Sequence, residues 1–357
     1  MPLVAHTNLP SFQALQDRGH EILSLDTALS QDIRELHIGL LNMMPDAALS
    51  VTDRQFMRLI GSCNKIVQFY VHPFTIPGFA RSDKAQSYIE AYYDDFATLR
   101  KAGLDALIIT GANVTNPDLR VETFWDPLRE VIAWARDNVT SILCSCLATH
   151  ALMSQLYKIE RHPMPQKVWG VYSHQVKNRH HPLLRDINTR FDVPHSRWNE
   201  IRRADMLAAG LEILVESEEA GVHLAVSPDK FRVIYFQGHP EYDRISLLKE
   251  YKREVNRFLA GEIDAPPPHP EHYFTDEAAG IADAYLDQAR QAKAAGTEIP
   301  PFPEANIEPL LDNTWSDTAK ALFNNWLGLV YKVTHTDRKV QFKAGVDPAD
   351  PLGLLSG

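Results

Sequence analysis

The sequence predicts an α/β fold: a mostly parallel sheet with helices on both faces, plus β-rich additions and a C-terminal helical extension. Three observations predict it. From residue 35, short apolar runs alternate with helical stretches up to residue 157. Nearly continuous apolar runs mark strands buried on both faces. Strand–helix alternation implies parallel neighbours joined by crossovers. After residue 168 the pattern changes to closely spaced strands, and beyond residue 263 it becomes helical between Pro-rich stretches.

Residues 1–34 read as an N-terminal arm with one short helical stretch. Leu36–Asn42 reads as the first strand. Thr52 and Gln55 have capping-box spacing, which opens an amphipathic helix carrying Phe56, Met57, Leu59 and Ile60. Lys65–His72 reads as a strand, Tyr88–Ala102 as a helix and Leu104–Thr110 as a buried strand ending at Gly111. Trp125–Arg136 is helical, with Leu128, Val131, Ile132 and Trp134 as its apolar stripe. Thr140–Cys146 is the next strand, and Leu147–Tyr157 the helix after it. Strands follow at 168–176, 191–194, 213–217, 223–226 and 232–236, then a helix at 246–259. This α/β unit spans 35–262. The run Ala265-Pro-Pro-Pro-His-Pro270 opens a Pro-flanked helical insertion, 263–304, with its helix at 275–295. Residues 305–336 form a C-terminal helix packing on the domain, and 337–357 a polar tail.

The chain has 357 residues, is 45% hydrophobic, and carries a net charge of −10. That charge argues against nucleic acid or an anionic membrane as partner, and requires an anionic substrate to be held by local positive groups. Three cysteines, Cys63, Cys144 and Cys146, form no disulfide framework. The N-terminus has no charged-then-apolar leader, and no apolar run reaches membrane-spanning length. A reducing, cytoplasmic setting is the expectation.

Ligands of open parallel sheets bind beyond the carboxyl ends of the strands. The strand-end segments are Thr110–Thr115, Cys144–His150 and Gln237–Tyr242. Cys146 falls where a strand turns into a helix, which exposes a nucleophile and places the positive end of a helix dipole behind it. The Leu147 amide would face a developing oxyanion, with a second amide, that of Val114, expected from the loop after Gly111. Read without that context, a free cysteine is a small buried hydrophobe, and Cys144 is read that way. His239 and Glu241, as His-x-Glu after a strand, suit a proton acceptor and its orienting carboxylate. His162, His174, His180 and His181 crowd one region, but their spacing matches no common metal site, so no metal is expected. No Gly-rich phosphate loop is present.

Leu41-Asn-Met-Met-Pro45, Thr110-Gly-Ala112, Cys146, Gly170-Val-Tyr172, Pro194-His-Ser-Arg197, Gly238-His-Pro-Glu-Tyr-Asp243 and Phe323-Asn-Asn-Trp-Leu327 occur in this order. Together they resemble the homoserine O-succinyltransferase and O-acetyltransferase family, over about residues 35–335. The resemblance implies a flavodoxin-like, class I glutamine amidotransferase-like fold. It implies ping-pong transfer from succinyl-CoA or acetyl-CoA to the hydroxyl of homoserine, the first committed step of methionine biosynthesis. Cys146 would carry the acyl group, with His239 and Glu241 as its partners. Lys167, Ser196 and Arg253 would bind substrate, Arg253 holding the homoserine carboxylate. Acyl-CoA is a co-substrate, and no permanently bound cofactor is implied. A homodimer is implied, with the Trp315–Trp326 region as its contact.

Departures from the family pattern are Leu147 and His150 after the cysteine, and Asp46 and Ala47 after Pro45. At the position that helps select the acyl donor stands Thr115, small and uncharged, which favours succinyl-CoA over acetyl-CoA. The alternatives are serine as acceptor, a glutamine amidase on the same fold, and a non-enzymatic sensor or binding protein. Amidases of this fold usually flank the cysteine with glycines, and Ser145 and Leu147 do not supply them.

Overall fold

The computed structural model describes residues 3–114 and 116–355. Within them the main sheet has nine strands. They are β1 (Glu35–Leu41), β2 (Gln68–Phe74), β3 (Ala106–Ile109), β4 (Ser141–Ser145), β5 (His162–Val176), β6 (Arg190–Glu200), β7 (Glu212–Ser217), β8 (Gly221–Val226) and β9 (Val233–Phe236). Their order is β2-β1-β3-β4-β9-β8-β7-β5-β6. The strands β2, β1, β3, β4 and β9 run parallel. The remaining neighbours pair antiparallel. The β-rich additions therefore extend the same sheet as an antiparallel wing.

The parallel half is apolar because it is covered twice. Leu36, Ile38, Leu40, Ile108, Leu143 and Ile234 pack against α1 (Leu49–Gly61) and a C-terminal helix (Ser316–Val333). On the opposite face, Leu107, Ile109, Ile142, Cys144 and Tyr235 meet α2 (Trp125–Asn138) and α3 (Leu147–Tyr157). Alternate residues of one strand point to opposite faces, so two helix layers need apolar residues at every strand position. A third cluster joins α4 (Ser246–Ala260) to α5 (Asp276–Ala295) and to Trp169 and Val171 of β5.

Several elements differ from the sequence reading. The first sheet-covering helix begins at Leu49 after a 3-10 turn at Asp46–Ala48, so Thr52 is a buried interior residue and caps nothing. The predicted helix 88–102 is two helices, Asp83–Tyr92 and Phe96–Ala102, and Asp95 caps the second by accepting from the Thr98 amide at 2.9 Å. The β5 and β6 strands are longer than expected, because each pairs mainly with the other as a two-stranded ribbon. The N-terminal arm is packed: Leu9, Phe12 and Leu15 are buried in the core. Trp315 and Trp326 are buried within the chain, and the Trp326 indole donates to Ser141 at 2.9 Å.

The segment after α4 is stitched to β5. Glu271 N donates to Trp169 O at 2.8 Å, and Val171 N to Glu271 O at 2.9 Å. Gly170 lies between them at φ +154°, where a Cβ would stand 2.2 Å from Glu271 O. Glycine is required by that approach.

Candidate active site

Cys146 is the hinge between β4 and α3. Its amide donates to Phe236 O of β9 at 2.8 Å, and its own carbonyl accepts the Thr149 amide at 3.0 Å. Meeting both demands forces φ 53° and ψ −113°, a conformation that costs a residue with a Cβ about 1–3 kcal/mol. The sulfur is thereby held at the helix N-terminus, partly exposed, whereas Cys144 two residues earlier is fully buried and burial pushes its thiol well up.

The loop after β3 passes directly over this hinge. A Cβ on Gly111 would lie 3.6 Å from Cys146 Cβ, 3.8 Å from Leu147 N and 3.8 Å from Met44 Sδ. The loop is tied to the Leu41–Pro45 segment by the Met43 amide, which donates to Thr110 Oγ1 at 2.9 Å. Gly111 therefore brings the start of this loop against the hinge, and Val114, three residues on, packs its partly buried side chain against the core. Thr115 lies outside the described residues.

His239 and Glu241 come from the loop after β9. The His239 Nδ1 and Glu241 Oε1 atoms are 2.8 Å apart, and Cys146 lies within charge-interaction range of the imidazole. Burial opposes a charged His239, yet Cys146 and Glu241 together hold its pKa well above the ordinary value. Ser145 Oγ donates to the same Glu241 oxygen at 3.1 Å, and Arg58 donates to the Glu241 carbonyl at 3.0 Å. The Pro194–Arg197 segment positions this loop from the antiparallel wing: the His239 amide donates to Pro194 O at 2.8 Å.

Lys167 and Ser196 converge on a residue that sequence reasoning missed. Glu250 of α4 accepts Ser196 Oγ at 2.6 Å, Tyr242 OH at 2.7 Å, Trp169 Nε1 at 2.9 Å and Lys167 Nζ at 3.3 Å. Burial alone would raise the Glu250 pKa, but Lys167, Ser196 and Tyr242 outweigh it and the carboxylate is held below its usual range. The Tyr242 ring stacks on His239. Cys146, His239, Tyr242, Glu250, Lys167 and Ser196 therefore form one continuous chain of contacts. A signal was present: Glu250 stands one helical turn before Arg253. Arg253 itself is exposed and pairs with Glu254 at 3.0 Å.

The departures in sequence have local explanations. Asp46 accepts the Ser82 amide at 2.8 Å and Arg81 Nη1 at 3.1 Å, fixing the turn after Pro45. His150 is buried 3.2 Å from Gln237 Oε1. Among the described residues one group has metal-ligand geometry, Glu219, Glu271 and His272, and all three are exposed. His162, His174, His180 and His181 do not form such a group. No helix among the described residues is long and apolar enough to cross a membrane.

The family model for homoserine O-succinyltransferase matches residues 2–336. A homoserine O-succinyltransferase of Methylococcus capsulatus is 62% identical over 354 residues, covering 99% of this chain and 100% of that one. One from Allochromatium vinosum is 58% identical over 357 residues, with both chains covered completely. Among solved structures, a glutamine amido transferase from Methylobacillus flagellatus is 14% identical, with a TM-score of 0.45 over 88% of this chain and 98% of that one.

Proposed function

The chain belongs to the homoserine O-succinyltransferase family, and from that premise we propose that it transfers an acyl group from acyl-CoA to the hydroxyl of homoserine through a thioester on Cys146, as a step of methionine biosynthesis. The observation that carries the residue assignment is the buried His239–Glu241 pair, 2.8 Å apart and raised in pKa by Cys146, whose sulfur stands at a strained helix N-terminus.

In the first half-reaction the Cys146 thiolate attacks the acyl-CoA carbonyl carbon. The oxyanion forms beside the Leu147 amide and the Gly111 loop. The C–S bond to CoA breaks, and the departing thiolate takes the His239 proton. In the second, the homoserine hydroxyl gives its proton to His239 and attacks the thioester. The Cys146 thiolate leaves and the ester is released. Glu241 holds the imidazole in the tautomer that receives the proton and stabilises the imidazolium.

The acceptor amino acid carries an ammonium and a carboxylate. Glu250, reached from His239 through Tyr242, offers a buried negative charge for the first. Lys167 beside it, and Arg253 on the same helix, offer positive charge for the second. Succinyl-CoA is the proposed donor. Incubation with succinyl-CoA without acceptor should add one succinyl group to the intact mass, and Cys146→Ala should abolish the adduct. Persistence of the adduct in that variant would remove Cys146 from its role.

A further inference from the structure

We infer that Asp53 is a positioning residue for acylation of Cys146: its ionised carboxylate fixes the direction of the Asn42 amide, and that amide holds the Met43–Met44 segment and the Gly111 loop against the cysteine hinge. This rests on the thioester reading above.

Asp53 lies on α1 with 0% of its surface exposed, and the bonds it accepts come from neutral groups. Asn42 Nδ2 donates to its Oδ1 at 2.8 Å. Tyr93 OH stands 2.9 and 3.0 Å from its two oxygens, and Tyr88 OH donates to Oδ2 at 3.1 Å. Tyr92 packs on Tyr88, and the adjacent Arg54 is taken by Asp243 at 3.2 Å. Among the described residues no cation pairs with Asp53. Burial pushes its carboxyl up to about 6, against the pull of the three donors. Asparagine has the same shape and would accept the same bonds without the cost of burying a charge. A charge kept buried and unpaired at that cost points to a use for the charge itself.

An ionised carboxylate can only accept. It therefore demands the NH2 end of the Asn42 amide, as does Leu49 O at 3.0 Å, and this leaves Asn42 Oδ1 facing the Met44 amide, which donates to it at 3.1 Å. The preceding amide, that of Met43, donates to Thr110 Oγ1 at 2.9 Å, and Thr110 Oγ1 donates in turn to Gly111 O at 3.0 Å. A Cβ on Gly111 would stand 3.6 Å from Cys146 Cβ and 3.8 Å from Met44 Sδ. Asp53, Asn42, Met43 and Met44, Thr110 and Gly111 thus form an unbroken series of contacts that ends at the cysteine. A protonated Asp53 gains a donor and loses its charge, so it no longer selects one end of the amide.

The test compares single-turnover acylation by succinyl-CoA, without acceptor, in wild type and Asp53→Asn between about pH 5 and about pH 8.5. The ratio of the two rates cancels titrations that both proteins share, those of Cys146 and His239 included. Asp53→Asn is expected to be folded, by its unfolding transition, and roughly 10-fold slower above about pH 7, the difference between a charge-assisted and a neutral hydrogen bond. As pH falls through about 6 the wild type loses the same charge, and the ratio should approach one. Tyr93→Phe takes one donor from the carboxylate and should move that change to higher pH. A ratio that does not vary with pH, whatever its size, would mean that Asp53 only packs, and would overturn the inference. So would equal rates above about pH 7. If Asp53→Asn does not fold, a Tyr93→Phe profile identical to that of wild type overturns it instead. Failure of the underlying thioester reading is visible separately, as the absence of any adduct on wild type.

Discussion

Tyr242 lies flat against His239, with ring centroids 4.3 Å apart and planes 19° from parallel. The same tyrosine donates to Glu250 at 2.7 Å. One side chain therefore couples the proposed proton acceptor to the group proposed to hold the amino-acid substrate. Tyr242→Phe keeps the stack and removes one donor from a buried carboxylate, which costs about 1–3 kcal/mol where the carboxylate is used. The expected outcome is a roughly 10-fold fall in kcat/KM for homoserine, with the rate of adduct formation from succinyl-CoA unchanged. Pre-steady-state kinetics check this. An equal fall in both steps would mean that the hydroxyl serves His239 rather than the substrate.

Cys146 holds its strained backbone at a cost in stability. Glycine adopts that conformation freely, although it also gives the unfolded chain more freedom. Cys146→Gly and Cys146→Ala should both lack activity, but the glycine variant should be more stable than the alanine variant by about 1 kcal/mol. Urea unfolding measures the difference. If alanine proves equally stable, the strain is not there.

Histidines buried in neutral form make the fold acid-sensitive. Burial, the first cause in each case, pushes His150 down to about 3 and His174 down to about 4, and His195 and His223 well below the ordinary 6.5. The bonds fit neutral rings. His174 Nδ1 donates to Tyr172 O at 2.8 Å, His195 Nε2 donates to His174 Nε2 at 3.2 Å, and Arg197 Nε donates to His195 Nδ1 at 3.3 Å. Below the unfolded value the unfolded chain binds protons that the folded one refuses. Their contribution is therefore fully present above about pH 6.5 and is lost as pH falls, at up to about 1.4 kcal/mol per pH unit for each histidine. Urea unfolding between about pH 6 and about pH 4.5 should show this slope, and His150→Gln should reduce it by about one proton. An unchanged slope in that variant would place a proton on His150 in the folded state.

The sheet and its helices were legible because burial on two faces leaves nearly continuous apolar runs, as in Leu36–Leu41 and Ile142–Cys144. The hinge at Cys146 was legible as well, since strand, cysteine and helix are contiguous. What could not be read was anything that depends on distant segments meeting. The β5–β6 ribbon runs through positions without an apolar pattern, such as His162 and Pro163, whose strand form comes from pairing with Glu200 and Asn199. Glu250 reads as one more charge on an amphipathic helix until Tyr242, Ser196 and Lys167 are seen around it. Asn116 and Pro117 give no hint in sequence that Arg161 binds their carbonyls.

Gly238 shows how tightly the His239 loop is set. A Cβ there would stand 2.7 Å from His195 Nε2 and 2.8 Å from Val193 Cγ1. His195 cannot yield, because His174 and Arg197 fix its ring from both sides. The loop would have to move instead, stretching the bond from the Gly238 amide to His223 Nδ1 (3.3 Å) and that from the His239 amide to Pro194 O (2.8 Å). Overpacking of this kind costs about 1–3 kcal/mol of stability. The larger effect falls on chemistry, because displacing a catalytic group by about 1 Å costs on the order of 100-fold in rate. Gly238→Ala should therefore remain folded, slow acylation of Cys146 by about that factor, and leave the KM for homoserine nearly unchanged, since Glu250, Ser196 and Lys167 stand on other elements. Single-turnover acylation on protein shown to be folded by its unfolding transition checks this. A wild-type rate would mean that His239 is placed by its bond to Glu241 alone.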